Sequence, residues 1–283
     1  MKLVSYEVAG RSGFGAVKDG GIVEFNGRLG AVDLRDLLEQ GALGAARDFL
    51  DANEADRDLG EVTLAPVIPN PNKVFCVGLN YEGHRVETNS PLTDNPQIFA
   101  RFADSLAGHD RPLVRPIESE AFDYEGELAV VIGRPGRRIS ESDALDHVAG
   151  YSCFNDGSVR DWQKHTSQFI PGKNFPQTGA LGPWLVTRDE IEDPGALHLR
   201  TILNGDVVQE DDTSNMLFSV PRVMSYCSSF TALSAGDVIV TGTPSGVGYR
   251  RSPPLFLKPG DVVEVEISKV GTLKNHVRAD TEN

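Results

Sequence analysis

Asp123-Tyr124-Glu125-Gly126-Glu127 sets three carboxylates at alternate positions just before the apolar run Leu128-Ala129-Val130-Val131-Ile132. A short apolar run bounded by turn residues reads as a buried strand. Side chains alternate along a strand, so Asp123, Glu125 and Glu127 are expected to share one face. Carboxylates crowded there repel one another, and buried charges need partners. A hard divalent cation, which favours oxygen ligands, is the simplest one. Taken alone, the stretch reads better as an exposed acidic strand end; its company downstream changes that preference. A second apolar strand, Val148 to Phe154, exits through Asn155-Asp156-Gly157. Asp156 there fits either a third carboxylate for the same cation or a helix N-cap.

Two further groups bear on chemistry. If residues 81–89 begin a helix, His84 and Glu87 lie three apart on one face. A carboxylate beside an imidazole fixes its tautomer and makes it a better proton acceptor; a solvated surface pair has the same spacing. Lys173, in Pro171-Gly172-Lys173-Asn174-Phe175, falls in a loop expected over 164–178, either solvated or able to close over an anion. The turn Thr241-Gly242-Thr243-Pro244-Ser245-Gly246-Val247-Gly248 offers amides and hydroxyls suited to a carboxylate, or is simply a tight turn. There is no G-x-S-x-G elbow, no phosphate-binding G-x-x-x-x-G-K-[ST] and no His-rich zinc spacing.

The elements that must position these residues follow from local pattern. Short strands are expected at 3–8, 14–17 and 21–25, and Asp33 caps a helix carrying Leu34, Leu37 and Leu38. A second helix holds Ala45, Ala46, Phe49 and Leu50. Pro66 to Asn72 is the clearest linker, which divides the chain into a small N-terminal α+β domain (1–69) and a larger domain (70–283). Strands are expected at 73–78, 97–102, 181–187, 198–203, 206–209, 237–241, 261–267 and 270–277, with a hairpin at Asn204-Gly205. A long polar loop is expected over 103–120, a short helix from Ser140 to about His147, and a helix opened by Ser219 and Pro221 and running to about Phe230.

Composition narrows the partners. The 283 residues carry a formal charge of −14, which argues against nucleic acid and anionic membranes. Three dispersed cysteines, Cys76, Cys153 and Cys227, read as buried free thiols in a reducing compartment. Met1 to Glu7 lacks the apolar block of a signal peptide, and no apolar run approaches membrane-spanning length. The expected location on these grounds is the cytoplasm.

Six motifs in order then carry a resemblance: G-L-N-Y-x-x-H-x-x-E (78–87), D-Y-E-G-E-L (123–128), G-Y-x-x-x-N-D (150–156) with Arg160 and Gln163, G-K-x-F (172–175), L-G-P-W (181–184) and T-G-T-P-x-G-V-G (241–248). From about residue 70 onward the sequence resembles the fumarylacetoacetate hydrolase family. The resemblance implies a β-rich α+β fold, a mixed β-sandwich roll with a small N-terminal domain, usually a homodimer, and Mg²⁺ or a similar divalent ion (Mn²⁺ or Ca²⁺). It implies Glu125, Glu127 and Asp156 as metal ligands, His84 and Glu87 as the base dyad, and Lys173 as stabiliser of developing negative charge. Arg160, Gln163 and Thr243 are then substrate-binding, with Tyr124 a further contact. Arg101 stands where the family commonly has lysine.

The expected activity is divalent-metal-dependent hydrolysis of a carbon–carbon bond in a β-diketo acid, an acylpyruvate or fumarylpyruvate of the kind formed in aromatic catabolism. The family also decarboxylates oxaloacetate-like acids and isomerises unsaturated 2-oxo diacids, so those remain alternatives. A non-catalytic metal-binding protein is the remote one.

Overall fold

The computed structural model describes residues 1–281. Its largest element is a twelve-stranded sheet. The strand Gly126–Ile132 lies inside it, antiparallel to Val148–Asn155 on one side and to Val238–Val240 on the other. Both faces of this strand are buried, which is why it reads as a continuous apolar run. Leu128, Val130 and Ile132 face one apolar cluster; Ala129 and Val131 face another.

The first cluster lies between the large sheet and a five-stranded one ordered Asp206–Asp212, His198–Leu203, Val262–Ile267, Gly271–Ala279 and Leu113–Arg115. Val263, Val265 and Leu273 meet Val130 and Cys153 there, which makes this part a sandwich of two sheets. At Gly126 the backbone comes so close to the second sheet that a Cβ would lie 2.1 Å from Thr201 Oγ1. Only glycine permits that approach between the two carboxylates flanking it.

The N-terminal residues form the expected strands and helices, but their connection is made in three dimensions. Lys2–Val8 pairs antiparallel with Gly179–Thr187, so the N-terminal strands extend the large sheet. The helices Leu34–Glu39 and Leu43–Ala52 bring Leu34, Leu37 and Leu50 onto the face carrying Ala129 and Val131. Asp33 caps the first of them, its carboxylate accepting from Asp36 N.

Other local expectations meet mixed outcomes. Asn204 (φ 54°) and Gly205 (φ 92°) join the strands at 198–203 and 206–212, as a hairpin turn with two left-handed residues requires. Residues 103–120 are not one loop: Leu106–Ala107 pairs in parallel with Gly179–Ala180, and Leu113–Arg115 with Val277–Ala279. The segment from Ser140 forms only a 3₁₀ turn, Ala144–His147. All three cysteines are free and buried.

Candidate active site

The ligand strand breaks just where its carboxylates begin. Phe122–Asp123 pairs with Ser158–Val159, whereas Gly126–Ile132 pairs with Val148–Asn155. Tyr124 and Glu125 cross between the two. Glu125 is held there by its own amide, which donates to Asn155 Oδ1 at 3.0 Å, and by its carbonyl, which accepts from Asp156 N at 2.8 Å. This crossing brings Glu125, Glu127 and Asp156 together, with one carboxylate oxygen of each within 4.8 Å of the others. All three are buried.

Asp123 is not part of that group, which corrects the expectation of a shared face. Its carboxylate accepts from Gly248 N (2.8 Å), Tyr249 N (3.1 Å) and Arg160 Nε (2.8 Å). The strand break turns Asp123 away from the register of Glu125 and Glu127, and it ties Arg160 to the glycine turn instead.

Buried cations answer most of this charge. Arg160 Nη2 donates to Glu125 Oε1 at 2.7 Å, and Lys173 Nζ lies 2.6 Å from both Glu125 Oε2 and Asp156 Oδ2. Lys173 is therefore not on an open loop. It ends a one-turn helix, Ile170–Lys173, and its side chain is buried. Burial by itself lowers an ammonium, but Asp156 and Glu125 outweigh it and hold Lys173 above its usual range. Burial likewise raises the Glu125 carboxyl, yet Arg160 and Lys173 reverse this and bring it below the ordinary range.

Arg101, singled out by the resemblance, has a structural role of its own. It is buried, its Nη1 donates to Asp156 Oδ1 at 2.6 Å and to the Gly157 carbonyl at 2.9 Å, and its Nη2 donates to Thr178 Oγ1 at 3.0 Å. A planar guanidinium meets these acceptors with a rigid fork of donors on separate nitrogens, where an ammonium offers its donors from a single point. Gly179 leaves the room, since a Cβ there would lie 2.7 Å from the guanidinium.

Glu127 differs from its neighbours. Among the described residues no side-chain cation is bonded to it and it accepts only from Gly242 N, whose positive φ (99°) aims the amide inward. Burial, with repulsion from Asp156 and Glu125, pushes its carboxyl well above the usual range. A hard divalent cation fits this set. It would be met by three buried carboxylate oxygens, one of them from a side chain with no bonded cation among the described residues.

His84 lies in the helix Glu82–Glu87 as its spacing indicated. It is buried, with Nδ1 2.7 Å from Glu87 Oε1, and Glu87 Oε2 accepts from Gly246 N at 3.0 Å. The Thr241–Gly248 turn thus holds the dyad from one side and Glu127 from the other. His84, Lys173, Gln163, Thr243 and the acidic triad line one cavity of about 210 Å³.

The proposed substrate residues divide. Arg160 and Gln163 line the cavity, with Arg160 Nη1 donating to Gln163 Oε1 at 3.0 Å. The Thr243 hydroxyl donates to the Gly126 carbonyl and accepts from Gln209 Nε2, so it braces the ligand strand. Tyr124 is not on the cavity wall. It is fully buried and its hydroxyl donates to the Gly246 carbonyl at 3.1 Å, because alternation sends it away from the side that Glu125 faces. Sequence reasoning missed Lys164, Tyr249 and Arg250, which also line the cavity. The available signal was position: Lys164 follows Gln163, and Tyr249 follows the glycine turn.

A two-sheet fold with a buried acidic triad facing a histidine–glutamate dyad defines a divalent-metal enzyme class. The sequence profile described as fumarylacetoacetate (FAA) hydrolase C-terminal matches residues 73–278. The chain belongs to the fumarylacetoacetate hydrolase family. It is 42% identical to a mitochondrial oxaloacetate tautomerase of Xenopus laevis, covering 98% of this chain and 90% of that one. It is 43% identical to a human mitochondrial oxaloacetate tautomerase, over 85% and 78% of the two chains. Among solved structures, a fumarylacetoacetate hydrolase from the psychrophile Exiguobacterium antarcticum matches with TM-score 0.85 and 34% identity over 99% of this chain and 100% of that one. A maleylpyruvate hydrolase from Sphingobium sp. SYK-6, in complex with manganese(II) and pyruvate, matches with TM-score 0.82 and 28% identity over the same shares.

These relatives correct one expectation. Both curated relatives are named as mitochondrial, so the cytoplasmic location inferred from the N-terminal residues does not stand. They also shift the weight of the activity from hydrolysis toward tautomerisation.

Proposed function

We infer that the protein interconverts the keto and enol forms of an oxaloacetate-type 2-oxo acid. The observation carrying this reading is His84, which is held by Glu87 and lines the same cavity as Lys173 and the acidic triad. The names of the curated relatives favour this chemistry over the hydrolysis expected from motifs.

Glu125, Glu127 and Asp156 would hold the divalent ion, which when bound supplies Lewis-acid polarisation of the 2-oxo-carboxylate end. With Nδ1–H donated to Glu87, the Nε2 atom of His84 is left as the acceptor. His84 Nε2 takes a proton from C3, the C–H electron pair forms the C2=C3 double bond, and negative charge moves to the 2-oxygen. The Lys173 ammonium favours that charge. Return of the proton from His84 to the 2-oxygen completes the enol, and the reverse sequence restores the ketone. Decarboxylation instead breaks the C3–C4 bond: CO₂ leaves, the bonding pair forms the C2=C3 double bond of a pyruvate enolate, and no base at C3 is needed.

Hydrolysis of an acylpyruvate is the second reading. It is favoured by the likeness to the maleylpyruvate hydrolase, and in it His84 would deprotonate water. The test follows enol absorbance of oxaloacetate and cleavage of acetylpyruvate with protein stripped of metal and reloaded with Mg²⁺ or Mn²⁺. Metal-restored tautomerisation without acetylpyruvate cleavage is expected. Cleavage of acetylpyruvate with no effect on the oxaloacetate tautomers would return the assignment to a hydrolase.

A further inference from the structure

Part of the cavity wall has a character opposite to the acidic triad. The Tyr249 ring is surrounded by three cations: Lys164 Nζ at 4.3 Å from its centroid, Arg160 Cζ at 4.6 Å and Arg250 Cζ at 4.9 Å. All four residues line the cavity. Arg160 is buried and committed to Asp123, Glu125 and Gln163. Lys164 and Arg250 are exposed and, among the described residues, form no ion pair. Arg250 donates through Nη2 to the carbonyl of Thr88, the residue that ends the His84 helix.

Cations gathered around one ring repel one another, and an anion arriving at the two without an ion-pair partner among the described residues, Lys164 and Arg250, relieves that repulsion. Lys164 feels it: partial burial first, then Arg160 and Arg250, bring its ammonium below the usual range. A cavity of about 210 Å³ is small, suited to a short acid. One end of such an acid belongs at the triad. For an anionic group at its other end, the cations on Tyr249 line the same cavity.

We propose that Lys164 and Arg250, stacked on Tyr249, form a subsite for a second carboxylate, so that the cavity selects 2-oxo dicarboxylic acids over monocarboxylic ones. The inference rests on the 2-oxo-acid reading above and deepens it, since neither residue takes part in the proton transfer at C3. Because Arg250 also holds the end of the His84 helix, the diacid's far end would sit beside the element that carries the base.

The experiment compares binding of two unreactive acids of equal chain length, malate and 2-hydroxybutanoate, which differ by one carboxylate. Titration calorimetry uses the full chain loaded with Mn²⁺. The wild type is expected to prefer malate by about tenfold or more, the scale of one charge-assisted hydrogen bond. In a Lys164→Gln/Arg250→Gln variant the preference should fall below about twofold through weaker malate binding alone, while Lys164→Arg should retain it. No preference in the wild type, or an unchanged preference in the double variant, overturns the proposal. Equal weakening of both acids also overturns it, because the side chains would then act on the cavity as a whole. If the wild type leaves oxaloacetate untouched yet shows the malate preference and its loss, the tautomerase reading fails and the subsite stands.

Discussion

At the floor of the cavity Arg160 and Lys173, with Arg101 behind them on Asp156, are buried and each is bonded to a carboxylate. At its mouth Lys164 and Arg250 are exposed and, among the described residues, bonded to none. The two regions carry the same residue types under opposite conditions of solvation. Buried ions persist only when paired and hydrogen-bonded, so the floor is a closed network whose members hold one another in place. The mouth is screened by water, so its cations tolerate being unpaired and remain free for a ligand. Removing a charge from the floor should therefore disturb folding and chemistry together, whereas removing one from the mouth should change binding alone.

Several substitutions sharpen that contrast. The largest effect is expected for Glu125→Ala, which removes a metal-facing carboxylate and leaves Arg160 and Lys173 short of a partner. Metal-dependent turnover should fall by about a thousandfold or more, since Lewis-acid stabilisation is worth several kcal/mol. Steady-state kinetics with saturating Mn²⁺ measures this, and retention of turnover would remove Glu125 from the site. His84→Ala should reduce tautomerisation by about 10²- to 10⁴-fold, while calorimetry finds Mn²⁺ affinity unchanged. Decarboxylation, which needs no base at C3, should be spared; equal loss of both activities would break that division.

Arg101→Met is expected to destabilise the fold by about 1.5–3 kcal/mol, because it takes the charged hydrogen bond from buried Asp156 Oδ1 and leaves Lys173 alone on Oδ2. Urea unfolding measures this. Arg101→Lys should recover only part of the loss, as it keeps the charge without the fork.

Glu127 supplies a test with a definite sign. Its folded-state carboxyl is raised by burial and by Asp156 and Glu125. Its contribution is therefore fully present below the unfolded value and is lost as pH rises through the raised folded value. In EDTA, wild-type stability should decline as pH climbs from the usual glutamate range, and Glu127→Gln should decline less. Mn²⁺ should stabilise the wild type more than this variant, as followed by thermal unfolding. At the mouth, Lys164→Gln should change unfolding free energy by no more than about 0.5 kcal/mol. A larger loss would mean that the mouth, like the floor, is built into the fold.

Much of the site was legible from local spacing. Glu125-x-Glu127 before an apolar run, and His84-x-x-Glu87 in a helical register, each put two groups on one side by backbone geometry alone. What misled was also local reasoning carried too far. Alternation put Asp123 on the face of Glu125 and Glu127 because nothing in the residues shows the strand changing partners after it. Lys173 beside a glycine read as an open loop, since its carboxylate partners are Glu125 and Asp156, distant in the chain.

The sequence by itself determined the family, the strand–helix alternation, the Asn204-Gly205 hairpin and the types of group available for chemistry. Those features follow from dihedral preferences and short periods, which neighbouring residues impose on one another. Only the tertiary structure decided which charges meet. It brought Arg101 to Asp156 across 55 residues, joined the N-terminal strand to Gly179–Thr187, and gathered Lys164 and Arg250 around Tyr249. The physical reason is that an ion pair or a strand edge is satisfied by whichever group the folded chain brings near, and periodicity carries no record of that return.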